Sequence, residues 1–292
     1  MKLFSRKKSV YQSSSTMKEV LHRLFQRKLA MLGLVIFGVE VLLAVLAPLI
    51  APYDPLAMDF SAMLAKPSAA HLMGCDDMGR DILSRILYGA RSSLGLGLLV
   101  VLCSTLVGTV IGAIVGYFGG IADAIIMRIL EIFQSIPHVL TCIVLSVVFG
   151  TGFVNTLLAL SISRAIGTVR LLRGSIMGMR HMEYLEAADA LNCSKLRTIL
   201  RHVLPNSFAP LIVYGTTGVA SAIMNASTLS FIGLGILPPT PEWGAMISGS
   251  RKYFISYPHT VLFPGIAIAI TVFALSILGD GLRDALDPKL KD

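Results

Sequence analysis

The chain has 292 residues, of which 54% are hydrophobic and 14% are charged, and its mean hydropathy is +0.75. About a quarter of the residues of a soluble protein are charged, so this composition excludes an ordinary soluble domain and indicates an all-α protein that crosses a membrane several times. The net charge of +8 does not indicate a nucleic-acid partner, because the basic residues cluster beside apolar segments.

About six segments are predicted to be transmembrane helices, since about 20 consecutive apolar residues cross a bilayer. They cover residues 29–50, 92–117, 124–149, 154–172, 208–231 and 260–282. The third and fourth are interrupted by Arg128, Glu131 and Arg164. The first is longer than the apolar part of a signal peptide, so we expect it to remain as an uncleaved span.

Basic residues cluster in three regions that six spans place on one side of the membrane: near the start, around the polar segment that follows the fourth span, and at the end. The positive-inside rule puts these regions and both termini in the cytoplasm. The predicted order is a solvated basic tail (1–28), helical in part from Met17, a first span (29–50), an extracytoplasmic loop (51–91) and a five-helix core (92–292) with a cytoplasmic loop at 173–206.

The extracytoplasmic loop contains a turn signal, Asp76, Asp77 and Gly79. The polar residues after it are predicted to form a helix surface near the membrane interface and to fold the outward vestibule rather than contact substrate. They are Arg80, Asp81, Ser84 and Arg85.

The four cysteines show neither a disulfide framework nor paired metal-ligand spacing. Cys75 lies in the extracytoplasmic loop, Cys103 and Cys142 lie in predicted spans, and Cys193 lies in the cytoplasmic loop. The sequence also contains no G-x-x-x-x-G-K-[ST] phosphate loop, so ATP binding by this chain is not predicted.

Two features of the second and third spans predict helix contacts. Gly108, Gly112 and Gly116 recur every four residues and form one face on which another helix, of this chain or of a partner, can approach closely. Arg128 and Glu131 are three residues apart and can pair on one helix face.

Glu40 and Arg164 are charged residues inside predicted spans. A charge at a helix centre costs about 2.5–3.5 kcal/mol on insertion scales. Such residues either line a polar path or contact a partner helix, or they are tolerated charges, with Arg164 snorkelling toward the cytoplasm. The sequence leaves both interpretations open.

The segment 180–210 predicts two short amphipathic helices in the cytoplasmic loop. One face of the first carries Tyr184, Ala187, Ala188 and Leu191, and the other carries Glu183, Glu186 and Asp189. Asn192 ends this helix, since Asn tolerates the left-handed conformation, and Ser194 caps the next. One face of the second helix carries Leu196, Ile199, Leu200 and Val203, and a bend is expected at Pro205.

Glycines and prolines within residues 227–247 predict a non-helical segment near the membrane. Such backbone must be buried in protein or face a watery cavity, so we expect an outer gate or a docking surface there. Trp243 is predicted to be an interfacial anchor.

At these segments the chain resembles the permease subunits of ABC importers. Glu186-Ala187-Ala188, Asn192 and Leu204-Pro205 resemble the EAA loop of that family, with Asn192 in place of Gly and His202 in place of Ile. The stretches 71–97, 227–247 and 279–288 resemble those of the peptide and nickel branch, with Cys75 in place of Thr.

The resemblance implies a type I ABC importer permease fold, with Tyr184 and the EAA residues on a helix that docks on an ATPase. It also implies a second homologous permease chain, two ATPase subunits that hold ATP and magnesium, an external solute-binding protein and a bacterial-type plasma membrane. This chain is then not itself an enzyme and needs no cofactor. Dipeptides or oligopeptides are the expected cargo, with nickel as an alternative, and a secondary transporter that uses Glu40 and Arg164 is the rival class.

Overall fold

The computed structural model describes residues 17–286, so the predictions for residues 1–16 and 287–292 lie outside it. The described chain is helical and contains no strand beyond an isolated bridge between Cys75 and Asp81, which confirms the all-α prediction. The helices are α1 (Met17–Gln26), α2 (Lys28–Ile50), α3 (Ile82–Phe118), α4 (Gly120–Gln134), α5 (His138–Phe149), α6 (Phe153–Met179), α7 (Glu183–Ala190), α8 (Lys195–Thr198), α9 (Leu204–Phe231), α10 (Trp243–Ser250) and α11 (His259–Leu286).

Four stretches of helix are long and apolar enough to cross a membrane: α2, α3, the run Lys195–Phe231 that contains α9, and α11. The predicted span 124–149 is wrong as a single helix, because α4 and α5 meet at 93°. Pro137 lies immediately before α5, and a proline has no backbone N–H to donate to the preceding turn of an unbroken helix. The bent pair can count as a fifth span. Helix α6 is the remaining predicted span, but it carries Arg164, Arg170 and Arg173 and is not among the stretches that are long and apolar enough, so the described residues give four or five such spans where about six were predicted.

The glycine face of α3 packs against α6 of the same chain. A Cβ atom added at Gly108 would lie 2.5 Å from Cβ of Thr168, and one at Gly112 would lie 2.9 Å from the carbonyl oxygen of Val169. At Gly116 the nearest atom is Cα of Arg173, at 3.1 Å. The neighbour that the sequence left open is therefore α6, and the three glycines bring the two helix backbones close together over two turns of α3.

Helix α1 is not wholly solvated, which corrects the prediction for the part of the tail that the structure describes. Val20 and Leu24 are buried in a cluster with Ala30 and Ala285. An ion pair of 3.1 Å between Arg27 and Asp284 joins the same two regions. The start of the described chain is thus packed on the end of α11.

The polar residues at the start of α3 and just before it are buried, so the predicted polar helix surface is wrong. Asp76 accepts a hydrogen bond of 2.8 Å from Nε of Arg80 and lies 3.4 Å from Nε of Arg85. Arg85 also donates to the carbonyl oxygen of Pro55 at 2.9 Å, and Asp81 caps α3 by accepting from the Ser84 amide. These bonds hold the loop between α2 and α3 on the start of α3, which supports its predicted structural role.

The segment between α9 and α10 is non-helical as predicted, but Trp243 is a core residue and not an interfacial anchor. Its indole Nε1 donates to the carbonyl oxygen of Ile86 at 3.1 Å, and Gly89 leaves the space that its ring fills. Glu242 is buried beside it and caps α10 by accepting from the amides of Gly244 and Ala245. The segment is therefore attached to α3.

The glycine contact predicts a difference between two equivalent substitutions in α3. Gly108→Ala should lower the melting temperature in detergent by several degrees, because overpacking costs about 1–3 kcal/mol. Gly95→Ala adds the same methyl group to the same helix where no atom lies within 4 Å, and it should leave stability unchanged or raise it. Equal melting temperatures for the two variants would contradict the close contact.

Cys75 is predicted to be unreactive although it lies in a loop. The side chain is fully buried, and burial, together with nearby Asp81 and Asp76, raises the pKa of the thiol to about 11. A raised pKa leaves less thiolate at pH 7.5 than an ordinary cysteine has, and thiolate is the reactive form. Maleimide should label partly exposed Cys193 and spare Cys75 until the protein is denatured, as measured by peptide mass spectrometry. Labelling of both at equal rates in the native protein would be inconsistent with the buried loop.

Candidate functional site

The first element of the site is α7, which stands on a small apolar cluster. Leu185 and Ala188 are its buried residues. Leu185 packs with Ile176, Ile199 and Val203, which belong to α6 and to the turn that precedes α9. The inward side of α7 therefore consists of Leu185 and Ala188, which are three residues apart. The sequence pattern did not identify Leu185 as part of this side.

The outward side of this segment is partly apolar. Tyr184, Ala187 and Leu191 are exposed together with Glu186, and Leu191 is 79% exposed. Tyr184 is 37% exposed, and the partial burial of its phenol raises the pKa of that group. The predicted stripe is therefore split, since Ala188 points inward while its other members remain accessible.

The second predicted helix is divided in the same way. Ile199 and Val203 are buried, whereas Leu196 and Leu200 are exposed. Ile199 and Val203 are four residues apart and share the inward face, and the turn that contains them, Ile199–Val203, is π-helical. We call the exposed residues of this segment, Tyr184, Glu186, Ala187, Leu191, Leu196 and Leu200, the coupling surface.

Asn192 lies between α7 and α8 with a φ of +55°, in the left-handed region that the sequence predicted for it. The backbone N–H of Asn192 donates to the carbonyl oxygen of Asp189 at 2.9 Å, and the backbone N–H of Cys193 donates to the carbonyl oxygen of Ala188 at 3.0 Å. Ser194 lies at the cap position of α8 but makes no side-chain capping bond. The turn is thus held by backbone bonds.

From α8 onward the helix is continuous into the membrane. The amide of Leu204 donates to the carbonyl oxygen of Ile199, five residues back, and α9 begins at Leu204 with Pro205 in its first turn. No break follows, so the bend predicted at Pro205 is replaced by the π-helical turn. The run Lys195–Phe231 therefore connects the coupling surface to the middle of the bundle.

The second element of the site is an open cavity of about 560 Å³ between α6, α9 and the corner of α4 and α5. Its polar lining residues are Gln134, His138, Thr141, Ser163, Arg164, Tyr214, Thr217, Ser221 and Asn225. None of the described lining residues is an Asp or a Glu. The cavity therefore carries a positive charge with no acidic partner on its wall.

The structure separates the two charged residues that the sequence grouped together. Arg164 lines the cavity and donates from Nη2 to the carbonyl oxygen of Tyr214 at 2.6 Å, so it does not snorkel toward the cytoplasm. Glu40 lies between α2 and α11, where Oε1 accepts a hydrogen bond of 3.0 Å from the Thr271 hydroxyl. Glu40 is absent from the cavity lining.

One ion pair lies within α4, and a second connects α4 to α6. Arg128 and Glu131 pair at 3.0 Å on the exposed side of α4, as predicted. The bidentate pair of Arg173 and Asp123, in which Nη2 lies 2.6 Å from Oδ2, was missed. Its partners are fifty residues apart in sequence, and no spacing rule relates residues on separate helices.

A helical membrane bundle with an exposed, partly apolar segment at one end and an open polar cavity between its helices has the form of a membrane transport component. The family model described as "binding-protein-dependent transport system inner membrane component" matches residues 108–292, and that of the "N-terminal TM domain of oligopeptide transport permease C" matches residues 15–67. The chain belongs to this family of binding-protein-dependent permeases.

Curated relatives match along nearly the whole chain. A dipeptide transport system permease protein of Alkalihalophilus pseudofirmus is 42% identical over 96% of this chain and 92% of its own length. A second dipeptide permease, of Haemophilus influenzae, is 41% identical over 91% of this chain and 92% of its own length. A glutathione transport system permease protein of Escherichia coli is 40% identical over 92% and 89%. These relatives do not favour the nickel alternative.

Among solved structures, a chain of the MetNI methionine ABC transporter in an inward-facing conformation has a TM-score of 0.57. It is 17% identical, and the match covers 70% of this chain and 98% of that one. This likeness supports the type I importer permease fold and carries no information on cargo.

Proposed function

We propose that this chain is the permease subunit of an ATP-driven importer and forms half of a path for dipeptides or oligopeptides. The observation that carries the proposal is the continuous helix from the coupling surface to the cavity. The names of the relatives, which are dipeptide and glutathione permeases, support a peptide cargo.

The coupling surface is the proposed contact with an ATPase subunit. Leu191 and Leu196 are 79% and 67% exposed, and apolar side chains that protrude this far from a polar loop are suited to a protein groove. Glu186 adds a charge that favours one partner over others. In this proposal ATP and magnesium are bound by two such subunits, and this chain contributes no catalytic residue.

Movement of the ATPases is then transmitted along a rigid path. A displacement of α7 moves the turn at Ile199–Val203 through the apolar contact of Leu185, and that turn is continuous with α9. Since α9 forms one wall of the cavity, its tilt opens the cavity to one side or the other. A second homologous permease completes the path, an external binding protein delivers the cargo, and both termini lie in the cytoplasm.

The proposal predicts that two substitutions on the coupling surface separate insertion from docking. Glu186→Lys and Leu196→Ser should leave the chain in the membrane at normal amounts, because both side chains are exposed. Each should reduce the ATPase that co-purifies with the permease about tenfold or more, the loss expected for a hot spot of an interface. Peptide uptake should fall in parallel.

Ile255→Ser is the matched control, since Ile255 is a 93% exposed apolar residue of the segment before α11. In the proposed topology it lies on the opposite side of the membrane, so ATPase co-purification should be unchanged. Full ATPase binding and uptake in both coupling variants would refute the coupling role. Uptake by this chain alone, driven by a proton gradient, would instead support a secondary transporter.

A further inference from the structure

The side chain of Arg164 is fixed on the wall of the cavity by contacts with Tyr214. Its guanidinium group stacks on the ring of Tyr214 at 4.4 Å from the centroid, and Nη2 donates to the carbonyl oxygen of the same residue. A Cβ atom at Gly218 would overlap the guanidinium group, and one at Gly167 would overlap the Tyr214 hydroxyl. Two glycines therefore make the space for this pair.

The charge of Arg164 is not neutralised within the described residues. No salt bridge there includes Arg164, and its Nε is buried without a hydrogen-bond partner. The other ionisable lining residues are His138 and Tyr214, and neither supplies a negative charge at neutral pH. A cation in a membrane-spanning bundle normally has a paired charge, because its desolvation is costly.

The remaining guanidinium nitrogen, Nη1, makes no hydrogen bond to the described residues, and it is not among the buried nitrogens. The fixed side of the group thus faces Tyr214, and a free donor remains toward the cavity. Arginine presents a planar set of donors that matches a carboxylate. The volume of about 560 Å³ is within the range of small-molecule sites and accommodates a short peptide.

From these observations we propose that Arg164 binds the carboxylate of the peptide cargo and selects peptides with a free carboxyl terminus. This inference rests on the proposed function. Thr217, Ser221 and Asn225 of α9 line the same cavity and offer hydrogen bonds to the rest of the peptide. The carboxylate supplies the negative charge that the wall of the cavity lacks.

The test uses the whole transporter in lipid nanodiscs without its binding protein, so that only the preference of the permease is measured. The probe is a tripeptide with a diazirine on its middle side chain, prepared as the free acid and as the carboxyl-terminal amide. Photo-labelling of this chain is quantified by mass spectrometry. Wild type should be labelled about tenfold more by the acid than by the amide, as expected for a charge-assisted hydrogen bond.

Arg164→Gln should bring the acid down to the level of the amide, and Arg164→Lys should keep part of the preference because it keeps the charge without the planar group. Arg170→Gln is the matched control, since Arg170 is exposed on the same helix and outside the cavity lining. It should keep the wild-type preference. Co-purification of the other subunits establishes that each variant is assembled.

Two results would overturn the inference: a wild-type transporter labelled equally by acid and amide, or an Arg164→Gln variant that retains the preference for the acid. Uptake of the acid peptide by the complete wild-type system, with its binding protein present, is measured alongside. If that uptake occurs, a failed labelling test removes only the role of Arg164. If the complete system transports no peptide, the proposed cargo is wrong.

Discussion

The close contact between α3 and α6 is the constraint on which the positions of the other helices depend. Apolar side chains gain little by leaving lipid, so helices in a bilayer associate through van der Waals contact at small residues. Gly108, Gly112 and Gly116 allow that contact over two turns of α3. At Gly97 the same helix admits Ile223 of α9, where an added Cβ would lie 2.6 Å away. Helix α3 thus sets the separation of the two walls of the cavity.

The coupling surface and the cavity are joined by packed side chains and a continuous helix. The apolar contact of Leu185 fixes α7 to α6 and to the turn before α9. Helix α9 then carries Tyr214, whose carbonyl oxygen accepts the hydrogen bond of Arg164. A tilt of α9 against α6 changes the distance between these two residues. Under the proposed mechanism, the position of the free guanidinium donor therefore depends on the state of the ATPase.

Much of the fold follows from local sequence signals. Apolar length predicts the spans, and the four-residue repeat of glycines predicts a close helix contact. The left-handed conformation of Asn192 follows from its residue type and its place after α7. Pro137 was also a visible signal, because a proline in the middle of a predicted span favours a break. The 93° corner between α4 and α5 was therefore open to prediction from the sequence.

The features that sequence reasoning missed are those set by residues distant in the chain. Trp243 reads as an interfacial residue by type, but Gly89 and the Ile86 carbonyl make a site for it inside the protein. Arg85 reads as a surface residue, but it is bonded to Pro55 and Asp76. In each case the partner lies on another element. Residue type gives the chemistry of a side chain, and only the packed structure gives its surroundings.

Arg164 differs from the other arginines near the core because no carboxylate of the described residues is paired with it. Arg80 and Arg85 are buried with Asp76, and Arg173 is paired with Asp123. Each of these charges has a carboxylate of the same chain beside it, as a structural charge in a low-dielectric environment requires. Arg164 has a ring, a carbonyl oxygen and two glycines that make room for the pair, but no carboxylate among the described residues. The guanidinium group of Arg164 is held in place without a counter-charge, and it is therefore suited to bind a negatively charged group of a ligand.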